Sequence, residues 1–407
     1  MPRLQLTGGA YQARNVIASA QRCLNLYVET MPQAVGEPSP AALYPTAGLV
    51  RVAYLPQGPV RGLYRATNDT LYAVGGSTLY AISLAWLPVA LGSITPGLTS
   101  PVSMSDNGNT LVLVDGTSNG WQVTLATNAF APVSDPTGSF RGADRVDYLD
   151  TYLLFNVPGT PQFQTTQSLA VTFDSLYFAN KESHSDLLVT LAVAKREIWL
   201  IGETTTEVWY NSGAADFPFE SMPSVFVDHG TCAKYSVAAT DNAIYLLAAD
   251  RQGQGIVMQC AGYQSTRISN YALETELAGY PVISDAIGMT YQYNGHVFYH
   301  LTFPAADKTW LYDITTGQWS ELAWLDAGGA EHRHRANCAA SCYGRVVVGD
   351  WQSGAIYRLD PNVYTDDGQP IRRQRAFPHL VNDGKRLFYR QFIADMDAGT
   401  VAPAVAG

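Results

Sequence analysis

The sequence predicts an all-β fold: a β-propeller of about six or seven blades, with an irregular N-terminal arm and the start of a C-terminal β segment. The 407 residues are 47% hydrophobic and only 15% charged, which is typical of a folded chain with a sizeable core. The 35 glycines, 22 prolines and 24 tyrosines favour many short strands joined by turns. Apolar hairpins also recur at spacings of roughly 40 to 55 residues, the period of a four-stranded propeller blade.

The repeat unit is easiest to see in residues 69–82. Two runs, at 71–74 and 79–82, are rich in aliphatic and tyrosyl side chains, and both are too short for an amphipathic helix. Gly75 and Gly76 separate them, and glycine reaches the positive φ angles that a tight hairpin turn requires. Because an isolated hairpin is barely stable in water, this unit is expected to pack against others like it.

Three regions follow in order along the chain. Residues 1–57 form the predicted N-terminal arm and connector, 58–362 the propeller, and 363–407 a C-terminal β extension that includes one strand within 385–393. The propeller contains seven predicted hairpins, at residues 71–74 with 79–82, 109–115 with 121–125, 151–155 with 161–166, 197–202 with 206–210, 243–248 with 256–260, 296–301 with 309–314, and 345–349 with 355–359. Further strand candidates precede five of them, at 60–65, 102–104, 189–193, 235–239 and 289–292.

The alternative architecture is a series of unrelated β-sandwich modules. Hairpins that follow one another without a linker over about 300 residues favour the propeller, in which neighbouring blades bury each other's apolar faces and the ring closes.

Charge, cysteine usage and hydropathy exclude several classes of protein. A formal net charge of −10 argues against a protein that coats nucleic acid non-specifically. The five cysteines are odd in number and widely scattered, which favours a reducing compartment over a disulfide scaffold. The first residues do not resemble a signal peptide, and the most apolar stretch, 82–94, is interrupted by Pro88 and Gly92, so no membrane insertion is expected.

Two motifs suggest chemistry only superficially. Gly116-Thr-Ser118-Asn-Gly120 matches G-x-S-x-G, but a nucleophile elbow needs a following helix, and residues 121–125 read as a strand. This motif is therefore expected to be a hairpin turn. The second motif contains four side chains that can ligate soft metals, but its spacing is not that of a zinc site, and two arginines interleave the histidines. Its members are His332, His334, Cys338 and Cys342.

No other motif supports catalysis or cofactor binding. The sequence contains no phosphate-binding loop, no dinucleotide fingerprint and no H-E-x-x-H. Tryptophans such as Trp199 and Trp209 occupy strand positions, where packing between blades is the ordinary role. We therefore predict no catalytic residue, no cofactor and no metal, and a protein that is not an enzyme.

One basic cluster lies beyond the hairpins, and its interpretation stays open. Lys and Arg commonly protect an exposed strand edge, but they also bind phosphates or an acidic partner. The candidate contacts to DNA or to a partner are Arg372, Arg373, Arg375, Lys385, Arg386 and Arg390.

A series of segments, in this order, resembles one known family. The segments are Gly9-Ala-Tyr11, Gln21-Arg-Cys-Leu-Asn-Leu-Tyr27, Tyr44-Pro-Thr-Ala-Gly48, Val60-Arg-Gly-Leu-Tyr64, Leu71-Tyr-Ala-Val-Gly-Gly76, Ile198-Trp-Leu-Ile-Gly202, Thr206-Glu-Val-Trp-Tyr210, His229-Gly-Thr-Cys-Ala-Lys-Tyr235, Ala330-Glu-His-Arg-His-Arg-Ala-Asn-Cys338 and Val348-Gly-Asp-Trp351. The sequence is similar to the packaged-DNA stabilisation proteins, or tail accessory hubs, of P22-like short-tailed bacteriophages.

The resemblance implies a structural virion protein with a propeller body, made in the host bacterial cytoplasm and located at the head–tail junction. Members of this family form a hexameric ring below the portal and its adaptor, contact the tail needle or tailspike, and retain packaged DNA. Family chains usually continue into a further β-rich domain, whereas this sequence ends soon after Phe392. Residues 363–407 are accordingly expected to be either the beginning of such a domain or what remains in a version that has lost it, and contacts with the needle or tailspike depend on which of the two holds.

Two other functions stay open. A propeller enzyme or carbohydrate-binding propeller would have its site in the central funnel and would gather ionisable residues from several blades there. A scaffold propeller in a host complex is the third possibility.

Overall fold

The computed structural model describes residues 7–15, 19–31, 41–135, 137–182, 184–377, 388 and 391. Its regular structure is almost entirely β, and the described residues contain one α-helix, α1 (Tyr271–Ala278), and one short 3₁₀ helix at Lys234–Ser236. Asn270 caps α1, because its side chain accepts a hydrogen bond from the Leu273 N–H. No helix in this part of the chain has the length and apolarity that crossing a membrane requires.

Six short strands come before the first blade. They are β1 (Tyr11–Gln12), β2 (Ala20–Gln21), β3 (Cys23–Leu24), β4 (Leu26–Thr30), β5 (Ala41–Pro45) and β6 (Gly48–Tyr54). β1 pairs with β2 and β4 pairs with β5 as separate two-stranded sheets.

Seven antiparallel four-stranded units follow in the described chain, and each is one blade of a propeller. Blade 1 contains β7 (Val60–Arg65), β8 (Leu71–Gly75), β9 (Thr78–Ile82) and β10 (Pro88–Ser93). Blade 2 contains β11 (Ser103–Asp106), β12 (Thr110–Val114), β13 (Gly120–Thr124) and β14 (Ala129–Pro132). Blade 3 contains β15 (Val146–Leu149), β16 (Tyr152–Asn156), β17 (Gln162–Thr166) and β18 (Phe173–Asn180). Blades 4 and 5 are β19 (Leu188–Ala194), β20 (Glu197–Gly202), β21 (Thr206–Asn211) and β22 (Phe219–Val227); and β23 (Ala238–Ala239), β24 (Ile244–Ala249), β25 (Gly255–Ala261) and β26 (Gln264–Arg267). Blade 6 contains β27 (Ile287–Tyr293), β28 (His296–Phe303), β29 (Lys308–Asp313) and β30 (Gln318–Leu325), and β31 (Glu331–Arg333) pairs with β30. Blade 7 contains β32 (Ala336–Cys342), β33 (Arg345–Asp350), β34 (Ala355–Asp360) and the earlier strand β6.

The first strand of each blade lies at the centre of the ring. Neighbouring first strands contact one another in the order β7, β11, β15, β19, β23, β27 and β32, and β32 contacts β7 again. The ring is therefore closed, which confirms the predicted propeller.

Strands from both ends of the propeller close blade 7. β6 pairs antiparallel with β34, from Gly48 opposite Asp360 to Tyr54 opposite Ala355. From its sequence this strand is predicted to belong to the N-terminal arm, because nothing local distinguishes it from the rest of residues 1–57. In the structure it is a strand of the propeller, and it ties the first and last blades together.

All seven predicted hairpins are present, and each forms the second and third strands of a blade. The turn of the first hairpin is centred on Gly76 and Ser77 rather than on Gly75 and Gly76, and only Gly76 has a positive φ, of 57°. Most outer strands, such as β10, and helix α1 are not predicted. The residues of β10 are all at least partly exposed, and α1 is only eight residues long, so neither shows the hydrophobic pattern that reveals the inner hairpins.

Additional strands cover the outer edges of blades 6 and 7. β3 pairs in parallel with β30, and β37 (Gln374–Arg375) pairs antiparallel with β3. On blade 7, β35 (Thr365–Asp366) pairs in parallel with β6, and β36 (Gln369–Pro370) pairs with β35. The strand predicted within 385–393 lies outside the described residues.

Apolar clusters fill the spaces between neighbouring blades. Between blades 1 and 2, for example, Val74, Leu79 and Leu111 are completely buried in one cluster. The packing role predicted for the tryptophans is also observed: Trp199 joins the cluster between blades 4 and 5, and Trp209 packs edge-on against Phe163 of blade 3.

Candidate functional site

The propeller encloses a central cavity with a volume of about 710 Å³. All seven first strands contribute to its wall, because their alternating side chains point towards the axis of the ring. The wall is mixed in character, with apolar residues such as Val102 and Met289 next to polar and charged ones.

The 3₁₀ helix Lys234–Ser236 obstructs one mouth of this cavity. It belongs to the connection between blades 4 and 5, yet the Lys234 Nζ lies 2.7 Å from an oxygen of Asp144, in the connection between blades 2 and 3. On the other side, the Tyr299 hydroxyl of blade 6 donates a hydrogen bond of 2.8 Å to the carbonyl of Ser236. A single turn thus joins blades on different sides of the axis and spans the mouth.

Tyr235 extends this crossing further. Its side chain lines the cavity and lies near Ser100, in the connection between blades 1 and 2. Burial raises the pKa of Tyr235, so the phenol stays neutral. Gly288 of blade 6 permits the close approach from the opposite side, because a Cβ there would lie 2.0 Å from the Ser236 carbonyl oxygen.

Arg61 is the most deeply buried cation at the cavity. It is 1% exposed, and its Nε and Nη1 donate to the carbonyls of Ser100 at 2.7 Å and Gly76 at 3.0 Å. Burial lowers its pKa, and Asp115 opposes that shift through its negative charge. The guanidinium therefore holds loops of blades 1 and 2 together.

The carboxylates at the cavity are also engaged in structural hydrogen bonds. Asp106 of blade 2 accepts from the Thr67 hydroxyl at 2.7 Å and from the Tyr64 hydroxyl at 3.1 Å, which links it to blade 1. Asp147 of blade 3 accepts from the Val193 N–H of blade 4 at 3.0 Å, and burial raises its pKa. The cavity thus gathers ionisable groups from several blades, as a funnel enzyme would require, but these groups bind loops and neighbouring strands.

These cavity residues were not predicted from the sequence. Two signals existed: Arg61 is a charged residue within an otherwise apolar inner strand, and Lys234 lies in a connection rich in small residues. Neither signal showed which distant loops these side chains contact.

Ser118 lies in the loop between β12 and β13, as predicted, and the chain continues as a strand. Thr117 in the same loop donates both its N–H and its hydroxyl to Asp115, which is an ordinary turn arrangement. The geometry of a nucleophile elbow is absent at this position.

The structure does not gather the four His and Cys side chains of the second motif into one site. His332 lies 2.7 Å from Asp307 and 3.4 Å from Asp326, and these contacts raise its pKa, the hydrogen bond to Asp307 most. His334 is buried against His300, whereas Cys342 lies in an apolar cluster between blades 7 and 1. In the described ranges no group of three or more His, Cys, Asp or Glu side chains is placed to hold a metal ion.

Three arginines of the predicted basic cluster make contacts within the chain. Arg372 lies 3.2 Å from Glu331, Arg373 donates to the Thr46 carbonyl at 3.3 Å, and Arg375 donates to the Gly9 carbonyl at 2.9 Å. Arg373 and Arg375 thus attach the C-terminal segment to the N-terminal arm, and Arg372 attaches it to β31 of blade 6. The other members, Lys385, Arg386 and Arg390, lie outside the described residues, so contact with DNA or a partner stays a prediction.

Comparison with known families identifies the chain's relatives. Residues 3–364 match the profile of the family described as Bacteriophage P22 Gp10, beta-propeller. The chain belongs to this family. The match includes all seven blades, and it agrees with the resemblance found in the sequence segments. A member of this family is a bacteriophage structural protein, and hence a component of the virion.

Similar solved structures are much more distant. They include the WD40 β-propeller domain of Doa1, with 11% identity, a TM-score of 0.47 and coverage of 77% of this chain and 97% of that chain. A streptogramin B lyase has 9% identity, a TM-score of 0.49 and coverage of 77% of this chain and 98% of that chain. Virginiamycin B lyase from Staphylococcus aureus has 10% identity, a TM-score of 0.46 and coverage of 77% of this chain and 98% of that chain. Likenesses this distant carry no argument about function. No curated protein matches the sequence significantly.

Proposed function

We propose that the protein is a tail hub and head-completion factor, which closes the channel of the portal and its adaptor and retains packaged DNA. Membership of the P22 Gp10 family, over residues 3–364, is the observation that carries this proposal. In this proposal several copies form a ring, a hexamer in the form the family resemblance implies, at the head–tail junction. The ring contacts the adaptor on one side and the tail needle or tailspike on the other.

The architecture of a single chain is suited to a mechanical role. The ring of first strands is closed, and blade 7 combines strands from both ends of the propeller, so opening the ring requires separating β6 from β34. Extra strands on blades 6 and 7 attach the terminal segments to the same body. Closure in this way joins the two ends of the propeller and gives a rigid building block.

The central cavity does not offer a route for DNA through one subunit. The 3₁₀ helix Lys234–Ser236 spans one mouth and is held there from blade 6 and from the connection between blades 2 and 3. In the proposed assembly, DNA is therefore retained by the ring of subunits and not by a pore within each propeller.

Imaging and reconstitution test this function. Virion-derived tails carrying a tag on this chain should show the tag in a ring next to the adaptor, and the purified protein should bind isolated portal–adaptor complexes. A protein that is absent from tails and never joins these complexes would contradict the proposal.

A funnel enzyme is the second candidate function, because ionisable residues from blades 1, 2 and 3 line the cavity together with Lys234. Their engagement in structural contacts argues against it. A hydrolase and lyase screen decides between the two: we expect no turnover, and robust turnover abolished by Asp147→Asn would favour the enzyme.

A further inference from the structure

From β8 onwards blades 1 and 2 are almost free of charge, whereas β7 contains Arg61 and Arg65. Between residues 70 and 134, the only acidic or basic side chains are Asp106 and Asp115, and both are buried, at 3% and 2% exposure. In the next blades the balance is different, because residues 133–237 contain 13 acidic and 6 basic residues. The uncharged region is therefore a local property and not a feature of the whole chain.

This region has an exposed outer rim, which we define as residues 83–93 and 126–134. The first segment contains β10 and the turn before it, and the second contains β14 and the turn before it. All 20 residues of the rim are at least partly exposed, a number close to the about 20–30 residues that one side of a standard protein interface uses. Leu84, Leu87 and Val89 are 70%, 65% and 59% exposed.

The two outer strands of the rim form one continuous surface. Leu91 of β10 and Phe130 of β14 pack against the same apolar cluster. Gly92 is required for this contact, because a Cβ there would lie 2.1 Å from the Phe130 ring. In the described chain, β10 pairs only with β9 and β14 pairs only with β13, so each has one unpaired backbone edge.

The outer edges of the other blades are protected in ways that this rim is not. Asp174 lies in β18, Glu220 lies in β22 together with a left-handed Ser224, and Arg267 lies in β26. The edges of blades 6 and 7 are covered by β3 and β35. Charges, prolines, irregularities and covering strands are the usual means of preventing edge-to-edge association. β10 and β14 each contain a proline, and β10 has a register shift between Ala90 and Gly92, but in the described chain neither strand has a charged residue or a covering strand.

Charge indicates which binding partner suits this surface. The chain has a net charge of −10, so two copies repel each other wherever their acidic surfaces meet. The rim is where two copies can approach without bringing like charges together, and depletion of charge is what distinguishes the core of a protein interface.

We propose that the uncharged rim of blades 1 and 2 is the surface through which a second copy of this chain docks. The proposal rests on the proposed hub function, in which copies assemble into a ring, and it specifies which part of each propeller makes the contact. The exposed leucines and Val89 form the apolar centre of the interface, and the free edges of β10 and β14 supply backbone hydrogen-bonding groups.

Charge insertion tests the proposal. A Val89→Glu and Ala131→Glu double variant places two carboxylates on exposed rim positions, and Leu176→Glu places one on a residue of blade 3 that is 75% exposed. Sedimentation velocity over a concentration series should show self-association of the wild type and of the Leu176→Glu control. The double variant should need at least about ten times more protein to associate.

The remaining outcomes are also informative. Circular dichroism checks that the double variant is folded; if it is not, Ser93→Glu, at an exposed position at the end of β10, replaces it. A wild type that stays monomeric throughout, or rim variants that associate like the wild type, would overturn the proposal. If tagged rim variants enter virion tails as efficiently as the wild type, the rim assignment fails while the hub function stands.

Discussion

Asn25 connects three separate parts of the chain at the outer edge of blade 6. Its side-chain amide donates to the carbonyls of Ala323 at 2.9 Å and Arg372 at 2.8 Å, and its oxygen accepts from the Ala323 N–H at 3.0 Å. Its backbone is left-handed, with φ of 53°, and the residue is 2% exposed. Asparagine suits this position because it tolerates the left-handed region and satisfies buried backbone groups.

Replacing this residue should be costly. We expect Asn25→Ala to lower the free energy of unfolding by about 2–3 kcal/mol, because it leaves buried backbone groups unpaired in addition to straining the backbone. Asn294→Ala is the matched control, since Asn294 is also left-handed, with φ of 48°, but is exposed in a hairpin turn. Urea unfolding of both variants measures the difference, and equal losses would refute the role of the Asn25 hydrogen bonds.

Asp366 is a buried carboxylate next to the strand that closes the ring. It is 2% exposed, and one of its oxygens has no hydrogen-bond partner. Burial raises its pKa to about 7, although the charges of Arg373 and Arg335 act in the opposite direction. The folded state therefore favours the protonated form, which makes this residue sensitive to pH.

The direction of the pH effect follows from the raised pKa. The stabilisation from the protonated Asp366 carboxyl is fully present below the unfolded pKa of about 3.9, and it is lost as the pH rises through the folded pKa of about 7. Asp366→Asn should therefore match the wild type near pH 4 and be more stable by about 1 kcal/mol or more at pH 8.

Asp186 serves as the control, because its pKa is shifted in the opposite direction to that of Asp366. The pKa of Asp186 is lowered to about 2, because the hydrogen bond from Lys181 and those from the Thr204 and Thr205 N–H groups outweigh burial. Asp186→Asn should be less stable than the wild type at neutral pH, and this difference should shrink as the pH falls towards 2. Denaturant unfolding at several pH values measures both; an Asp366→Asn profile parallel to the wild type would contradict the first expectation.

At the scale of elements, strand β6 carries the closure of the propeller. It lies between β34, with which it is antiparallel, and β35, with which it is parallel. Gly48, at its first position, is where the chain segments come closest. A Cβ there would lie 2.2 Å from the Val363 carbonyl oxygen and 2.7 Å from that of Thr365, both backbone atoms.

Gly48→Ala should consequently displace β35 and loosen blade 7. We expect a loss of about 1–3 kcal/mol, the usual cost of forcing extra volume into a packed site. Gly328→Ala serves as the control, because it is exposed and its Cβ would meet only the Asp326 carboxylate, at 3.3 Å. Urea midpoints and protease cleavage within blade 7 report the effect, and similar behaviour of the two variants would argue against closure at this point.

At the scale of the whole molecule, charge is distributed unevenly. Residues 133–237 carry the largest acidic excess, the rim of blades 1 and 2 is uncharged, and Arg372 and Arg375 of the C-terminal segment are engaged within the chain. Because non-specific DNA binding depends on cations that replace counterions, this distribution is unsuited to coating DNA. In the proposed hub, DNA is retained by geometry.

The isolated chain should accordingly bind duplex DNA only weakly. We expect no retention of DNA in a mobility-shift assay at about 150 mM salt, near physiological ionic strength. Arg372 pairs with Glu331 and its side chain is 54% exposed, and we expect Arg372→Gln to leave the DNA mobility unchanged. Tight binding with a steep salt dependence, weakened by Arg372→Gln, would instead support the phosphate-contact interpretation of the basic cluster.

The sequence by itself determined the blades. Inner hairpins such as 71–74 with 79–82 are buried on both faces, so their side chains form continuous apolar runs that local pattern reveals, and glycines mark their turns. The same local information identified the loop at Ser118 and, through the order of short segments, the family.

Only the tertiary structure decided how distant segments meet. The pairing of Gly48 with Asp360, the crossing of Lys234 to Asp144 and the union of two uncharged edges into one rim join residues far apart in sequence. These features arise when the ring closes, because closure brings side chains and strand edges together that have no local preference for one another. A hydrophobic pattern with a period of two residues predicts which face of a strand is buried, but it does not predict which other strand packs against that face.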